Sequence, residues 1–260
     1  MKLAAITFSP EGVRVCQQLQ SEMTELQLYV HDSIALPTGA IPFSRVMALT
    51  PEIFSQYNGL IYVAPCGVVV RALASSIASK LSDPAVVMVD VGGRHAVSLL
   101  SGHEGGANDL AVWVSNIINA EPVISTTTEA VKNLIVGVGC RKGKPEADII
   151  DAVKTVLKDE NLSVDQVRYL ATADVKAREV GLLAAAKTLG IPLRIIAGES
   201  IRQCRTEFSY SEFVQEQIAL PAVAEPAALL AGRRTSLIVQ RKAMDGITVA
   251  VARENCLSLA

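Results

Sequence analysis

The sequence predicts an α/β protein made of two three-layer-like α/β domains, each with a mostly parallel sheet and some antiparallel hairpins. Three observations carry this expectation. Short apolar runs alternate with helical patterns along the chain, the order that lays helices on a parallel sheet. Half of the 260 residues are hydrophobic and only 4% are aromatic, and the richness in Ala, Val, Leu and Ile suits strands buried on both faces. The strand–turn–helix pattern also restarts after Thr126-Thr127-Thr128-Glu129. That places a boundary between residues 1–128 and 129–260, and a chain of this length can bury two cores.

Leu3 to Phe8 reads as a short strand, and Ser9 with Pro10 is a helix start signal for the pattern through Val13, Val15 and Leu19. Leu26 to Val30 is a second strand with His31, read as a surface histidine, at its end. A Pro/Gly-rich loop follows from Leu36 to Phe43. Gly59 to Ala64 is a buried strand, interrupted by Pro65-Cys66-Gly67 before a helix from about Val68 to Lys80. Ala85 to Val91 and His95 to Leu100 form an antiparallel hairpin turned at Gly92-Gly93. The helix that follows runs to about Asn119, and Pro122 to Thr126 is a last short strand of this half.

In the second half, Leu134 to Val138 is a strand leading into a glycine-rich, cationic loop and a helix from near Pro145, through Ile149, Val153, Val156 and Leu157. Val167 to Ala171 is the next strand, after which Thr172-Ala173-Asp174 caps a helix carrying Lys176 and Glu179 one turn apart. Pro192 to Ala197 is another strand, followed by Gly198-Glu199-Ser200. Beyond a less regular stretch, Val223-Ala224-Glu225-Pro226 opens a short helix. Leu237 to Val239 and Ile247 to Val251 close the chain as a hairpin turned at Asp245-Gly246.

The stretch with the most chemistry is Leu99 to Ala111, LLSGHEGGANDLA. A strand that turns through glycines into a helix leaves backbone N–H groups pointing outward, which favours an anion. Here the turn also carries His103 and Glu104, an imidazole beside a carboxyl group, suited to moving protons near neutral pH. His103 is the candidate acid/base and Glu104 its supporting partner. A histidine that merely caps the turn is the competing reading. Pro65-Cys66-Gly67 is a second strand–helix turn, aimed at the same edge of the sheet. Arg71, one turn into its helix, either holds a carboxylate or is solvated. Cys66 reads as a small packed residue, with no histidine near it in sequence. The third turn, GVGCRKGK from Gly137 to Lys144, has neither a Walker A ending nor dinucleotide glycine spacing. It reads as an anion cradle with an electropositive lip.

Composition narrows the function classes. The net charge is −2 with no basic tract, which argues against nucleic acid as a partner. No apolar run approaches a membrane span, and the opening MKLAAITFSPEGVRV is broken by Pro10, Glu11 and Arg14, unlike a signal peptide. Five scattered cysteines without a CxxC pair fit reduced thiols in the cytoplasm. Three histidines are too few for a multi-histidine metal centre, so no protein-bound metal or cofactor is expected.

These landmarks resemble the cobalt-precorrin-5A hydrolase family of anaerobic cobalamin biosynthesis. LLSGHEGGANDLA looks like the signature of that family's amino-terminal domain. GVGCRKG, TADVKAREVGLLAAAKTLGIPL, EPAALLAG and TVAVAR look like its carboxy-terminal domain. The motifs occur in the family's order and cover most of the chain from about residue 57. Many relatives carry an extra middle segment, whereas here Thr126 to Lys132 joins the halves almost directly. The resemblance implies a cytoplasmic enzyme that opens the δ-lactone of a cobalt tetrapyrrole and releases the C-20 fragment as acetaldehyde, giving cobalt-precorrin-5B. Cobalt would arrive within the substrate. Substrate contacts are then expected at Gly67, Arg71, Ser101, Gly102, Gly105, Gly106, Asn108, Gly139, Arg141, Lys142 and Glu225, with residues 65–71, 101–108 and 139–144 lining one cleft. Homodimerisation and transient contact with the pathway's methyltransferases are the partner expectations. A non-catalytic carrier of a corrinoid intermediate is the alternative function.

Overall fold

The structure, a computed structural model, describes residues 1–204, 220 and 222–259. It divides into two compact units, Met1–Thr126 and Thr127–Ala260.

In the first unit the strands are β1 (Leu3–Thr7), β2 (Leu26–His31), β3 (Ile41–Phe43), β4 (Gly59–Val63), β5 (Ala85–Val89), β6 (His95–Leu100) and β7 (Glu121–Val123). They form one seven-stranded sheet in the order β3-β2-β1-β4-β5-β6-β7. Every neighbouring pair is parallel except β5 with β6. The helices are α1 (Pro10–Glu22), α2 (Val46–Ile53), α3 (Cys66–Leu73) and α4 (Ala107–Ile118). Val13, Cys16 and Leu19 of α1 pack with Leu110, Ala111 and Val114 of α4 on one face of the sheet. Leu49 and Ile53 of α2, with Val69 and Leu73 of α3, cover the other. This is the three-layer arrangement that the alternation of apolar runs predicts. Ser9 caps α1 by accepting from the Gly12 N–H at 3.0 Å, with Pro10 at the first helical position.

Three local readings change. The loop expected over 36–43 contains β3, and α2 follows it without a side-chain cap and with Pro51 inside it, so it shows no start signal. The helix expected to reach Lys80 stops at Leu73, because the Asp83 carboxylate accepts from the N–H groups of Ala78 and Ser79 and draws that segment into a turn. The last strand of the unit starts at Glu121 and ends at Val123.

The antiparallel hairpin has a larger consequence. Leu100 pairs with Val86 near the start of β5, while Ala96 pairs with Val89 at its end. Because β4 runs parallel to β5, the turn after β6 lies at the sheet edge where β4 and β5 begin. The Pro65-Cys66-Gly67 turn lies where β4 ends. The expectation that both turns share one edge is therefore overturned, and Gly67 and Arg71 cannot line one cleft with residues 101–108.

In the second unit α5 (Thr127–Ala130) precedes a five-stranded sheet ordered β10-β9-β8-β12-β11. Its strands are β8 (Leu134–Cys140), β9 (Val167–Ala173), β10 (Leu193–Ile196), β11 (Thr235–Met244) and β12 (Ile247–Glu254). β8, β9 and β10 are parallel, and β12 runs antiparallel to β8 and to β11. Helices α6 (Glu146–Asp159) and α7 (Val180–Leu189) bury Ile149, Val153, Leu182 and Ala185 against one face. Helices α8 (Gly198–Gln203) and α9 (Ala224–Leu230) complete the unit. The hairpin expected at the end is present, with longer strands than expected. Lys176 and Glu179 do not share a helix: Asp174–Lys176 is a short 3-10 turn and α7 starts at Val180. The Asp174 carboxylate causes this by accepting from Val175 N–H at 2.7 Å and Gly198 N–H at 2.8 Å. Most of the stretch expected to be irregular between Ser200 and Val223 lies outside the described residues.

Candidate functional site

The SGHEGGAN turn is held from inside. Ser101 takes a left-handed φ of 57° and is buried, and its carbonyl accepts from Gly105 N–H and Ala107 N–H, both at 3.1 Å. Gly102 packs against Thr126 and Asn108. Gly105 leaves no room for a side chain: a Cβ there would lie 2.5 Å from Ser101 Cβ, with the Asp83 carbonyl oxygen at 3.1 Å. Gly106, at φ 82°, forms the left-handed cap from which α4 begins. Asn108 is buried and acts as a clamp. Its Oδ1 accepts from Ser98 Oγ at 2.8 Å, and its Nδ2 donates to Thr126 Oγ1 at 3.0 Å. The turn's own residues are thus largely occupied in shaping it. His103 and Glu104, at its apex, are exposed.

Glu104 meets Lys80 Nζ at 3.0 Å. Its own backbone N–H, then Lys80, hold its carboxyl below the ordinary carboxylate range, and the imidazole of His103 adds to this. Glu104 is therefore a carboxylate at neutral pH beside an imidazole. Lys80 and Asp83 were not singled out in the sequence, and both sit about 20 residues upstream across a hairpin, out of reach of local spacing. Beside the turn a cleft of about 620 Å³ is lined by Met1, Tyr57, Asn58, Asp83 and Gly105, among others.

At the opposite edge of the same sheet, Arg71 Nη1 donates to its own helix at Gly67 O, 2.9 Å away. Cys66 is exposed at the start of α3. The Asp90 carboxylate closes the β5–β6 turn by accepting from Gly92, Arg94 and His95 N–H groups, each at 2.9 Å. Partial burial opposes ionisation there, but these three donors outweigh it and hold the carboxyl below its ordinary value.

In the second unit the GVGCRKGK stretch is not a loop throughout, since β8 continues to Cys140. Its glycines serve packing. A Cβ on Gly137 would lie 1.8 Å from the Ala224 carbonyl oxygen, and one on Gly139 would lie 2.5 Å from Thr248 Oγ1. The residues are small because α9 and β12 approach the strand closely, which replaces the anion-cradle reading for this part. Arg141 N–H donates to Gly246 O at 2.9 Å, and its side chain runs along Gly246. Lys144 is engaged by Asp245 at 2.7 Å and Asp148 at 3.6 Å. Lys142 stands at the solvent edge. Glu225 is buried in α9 and accepts from Arg241 N–H at 2.8 Å, where β11 departs from regular register.

Among the described residues, no group of three or more His, Cys, Asp and Glu side chains is placed to hold a metal ion, and no helix is long and apolar enough to cross a membrane.

Two α/β units, one carrying an exposed imidazole–carboxylate turn and the other a cationic strand end, define a two-part α/β protein with candidate proton-transfer and anion-binding groups. Residues 48–129 match the family described as Cobalamin synthesis G N-terminal, and residues 134–252 match Cobalamin synthesis G C-terminus. The chain belongs to this cobalamin synthesis G family. It is 23% identical to the cobalt-precorrin-5A hydrolase of Salmonella typhimurium over an alignment of 340 residues, covering 95% of this chain and 96% of that one. The alignment is longer than this chain, so the relative carries residues with no counterpart here. The cobalt-precorrin-5A hydrolase of Priestia megaterium is 37% identical over 125 residues, 46% of this chain and 33% of that one. Among solved structures, a cobalamin biosynthesis protein G homolog from Sulfolobus solfataricus matches with a TM-score of 0.39 and 20% identity, covering 97% of each chain.

Proposed function

We propose that this chain is a cobalt-precorrin-5A hydrolase, which opens the δ-lactone of its cobalt tetrapyrrole substrate and releases the C-20 fragment as acetaldehyde. The observation that carries this reading is its similarity to the Salmonella typhimurium hydrolase across nearly the full length of both chains. The exposed His103 beside the ionised Glu104 supports it chemically. His103 accepts a proton from the water that attacks the lactone carbonyl, and the C–O bond of the ring breaks. The same imidazole returns the proton to the departing oxygen. His103, neutral again, then takes the proton of the hydroxyl formed on the C-20 fragment as the carbon–carbon bond to the macrocycle breaks. The fragment leaves as acetaldehyde, and the electron pair stays on the macrocycle. Glu104 favours the imidazolium that forms in between.

The test is incubation of the purified protein with cobalt-precorrin-5A while trapping aldehyde. One acetaldehyde per macrocycle consumed is expected. Tight binding of the substrate without aldehyde would replace this reading with that of a carrier for the intermediate.

A further inference from the structure

We propose that Asp83 is a positioning residue for the SGHEGGAN turn: its buried carboxylate folds residues 78–83 so that Lys80 is delivered to Glu104, the partner of His103. That Glu104 serves a reaction rests on the hydrolase reading above; the placement of Lys80 does not.

The segment lies between α3 and β5 and belongs to neither. What holds it is Asp83, which is only 6% exposed. A carboxylate that deep is costly unless its oxygens find donors. Its two oxygens share the backbone N–H groups of Ala78 and Ser79 at 3.0 to 3.3 Å. The Asp83 N–H in turn donates to Ser79 O at 2.8 Å. The chain from Ser79 to Asp83 is thereby closed into a tight turn, with Lys80 exposed on it.

Two contacts join this segment to the SGHEGGAN turn, both on residues directly after His103. Lys80 Nζ meets Glu104 Oε1 at 3.0 Å. The Asp83 carbonyl oxygen lies 3.1 Å from where a Cβ on Gly105 would stand, so the two backbones pack against each other. Ser82, Asp83 and Gly105 also line the same cleft.

An ion pair between two long exposed side chains ordinarily contributes little, because ordering them offsets the attraction. Here the backbone beneath each partner is already fixed, Lys80 by Asp83 and Glu104 by the Ser101 and Asn108 bonds. Less ordering then remains to oppose the pair. Lys80 holds the Glu104 carboxylate in one place and offsets part of its charge. The other charged groups around that carboxylate are His103 beside it, Asp83 in the facing segment, Asp109 in the first turn of α4, and the amino group of Met1, which lines the cleft.

The test follows the titration of the Glu104 carboxyl group by carbon-13 NMR in substrate-free protein, with Glu104→Gln to assign the signal. Lys80→Met changes a side chain that is 73% exposed, so the fold is retained. It is expected to move the midpoint up toward the ordinary carboxylate range, while Lys80→Arg leaves it low. Asp83→Asn puts an NH2 group against the two N–H donors and is expected to move the midpoint up as well. The sign is decisive, because loss of the Asp83 charge acting directly through space would move it down. Ala78→Pro keeps that charge but removes one of the donors at an exposed position. It is also expected to move the midpoint up, and it tests the placement should Asp83→Asn not fold. A midpoint that does not rise in Lys80→Met, or that rises there but in neither turn variant, overturns the proposal.

Aldehyde release from cobalt-precorrin-5A by the same preparations separates this from the hydrolase reading. Lys80→Met is expected to lower kcat about threefold or more with KM unchanged. A raised KM with unchanged kcat makes Lys80 a substrate contact and overturns the proposal, as does a raised midpoint with both constants unchanged. Turnover by the wild type with an unmoved Glu104 midpoint in the variants refutes the positioning and leaves the hydrolase standing. Raised midpoints with no aldehyde from the wild type uphold the placement by Asp83 and refute the hydrolase.

Discussion

His103 stands at the apex of a turn whose neighbours are engaged in holding it, through the Ser101 carbonyl and the Asn108 clamp. Its replacement leaves the hydrogen bonds of Ser101 and Asn108 in place. His103→Ala is expected to lower turnover by about 10²–10⁴-fold with substrate affinity nearly retained, measured as the rate of aldehyde release against substrate concentration. Near-normal release from the folded variant would remove His103 from the mechanism. Asp90 is the contrasting residue, since its carboxylate serves the fold. Asp90→Ala leaves three backbone N–H groups without their acceptor and is expected to destabilise the first unit by about 1–2 kcal/mol at pH 7. Because the folded state holds this carboxyl below its ordinary value, the stabilisation is complete above the usual aspartate pKa of about 3.9. It fades as pH falls through the lower folded value. Urea titrations at pH 7 and pH 3 should show the gap between wild type and variant narrowing at the lower pH.

At the scale of elements, what was legible depended on how local the cause was. The start of α1 is written in two adjacent residues, Ser9 and Pro10, and the β5–β6 hairpin in Gly92-Gly93. The ends of α3 and the start of α7 are set by Asp83 and Asp174, whose carboxylates gather N–H groups from residues that no helix periodicity singles out. Gly137 and Gly139 misled for the same reason, because the elements that crowd them come more than 80 residues later. Their contacts predict different costs. Gly137→Ala pushes a methyl group into a backbone carbonyl of α9 and is expected to cost about 1–3 kcal/mol. Gly139→Ala meets a threonine hydroxyl, which can rotate, and should cost less. Urea midpoints of the two variants would check the order.

Across the whole molecule, the division into two α/β units follows from the restart of strand–turn–helix pattern, and each unit has its own buried clusters. The fragment ending at Thr126 is expected to give a cooperative thermal transition by itself, with loss of helical circular dichroism as the readout. A featureless melt would show that its core is insufficient alone. Of the candidate site, the chemistry-bearing residues of the SGHEGGAN turn were legible and their placement was not. Gly92-Gly93 marks the hairpin as antiparallel, yet an antiparallel partner reverses which sheet edge its outgoing turn reaches, and that is a property of the assembled sheet.

This reversal makes the first unit a molecular ruler. Cys66 and His103 lie beyond opposite ends of the five-residue strands β4 and β5, so at least the length of those strands, about 16 Å at roughly 3.3 Å per residue, separates them. Probes attached at those two positions would report a fixed spacing through the rigid body of the sheet. A change in that spacing would register distortion of the strands themselves, whereas loop motion at one end would broaden the signal from that end alone.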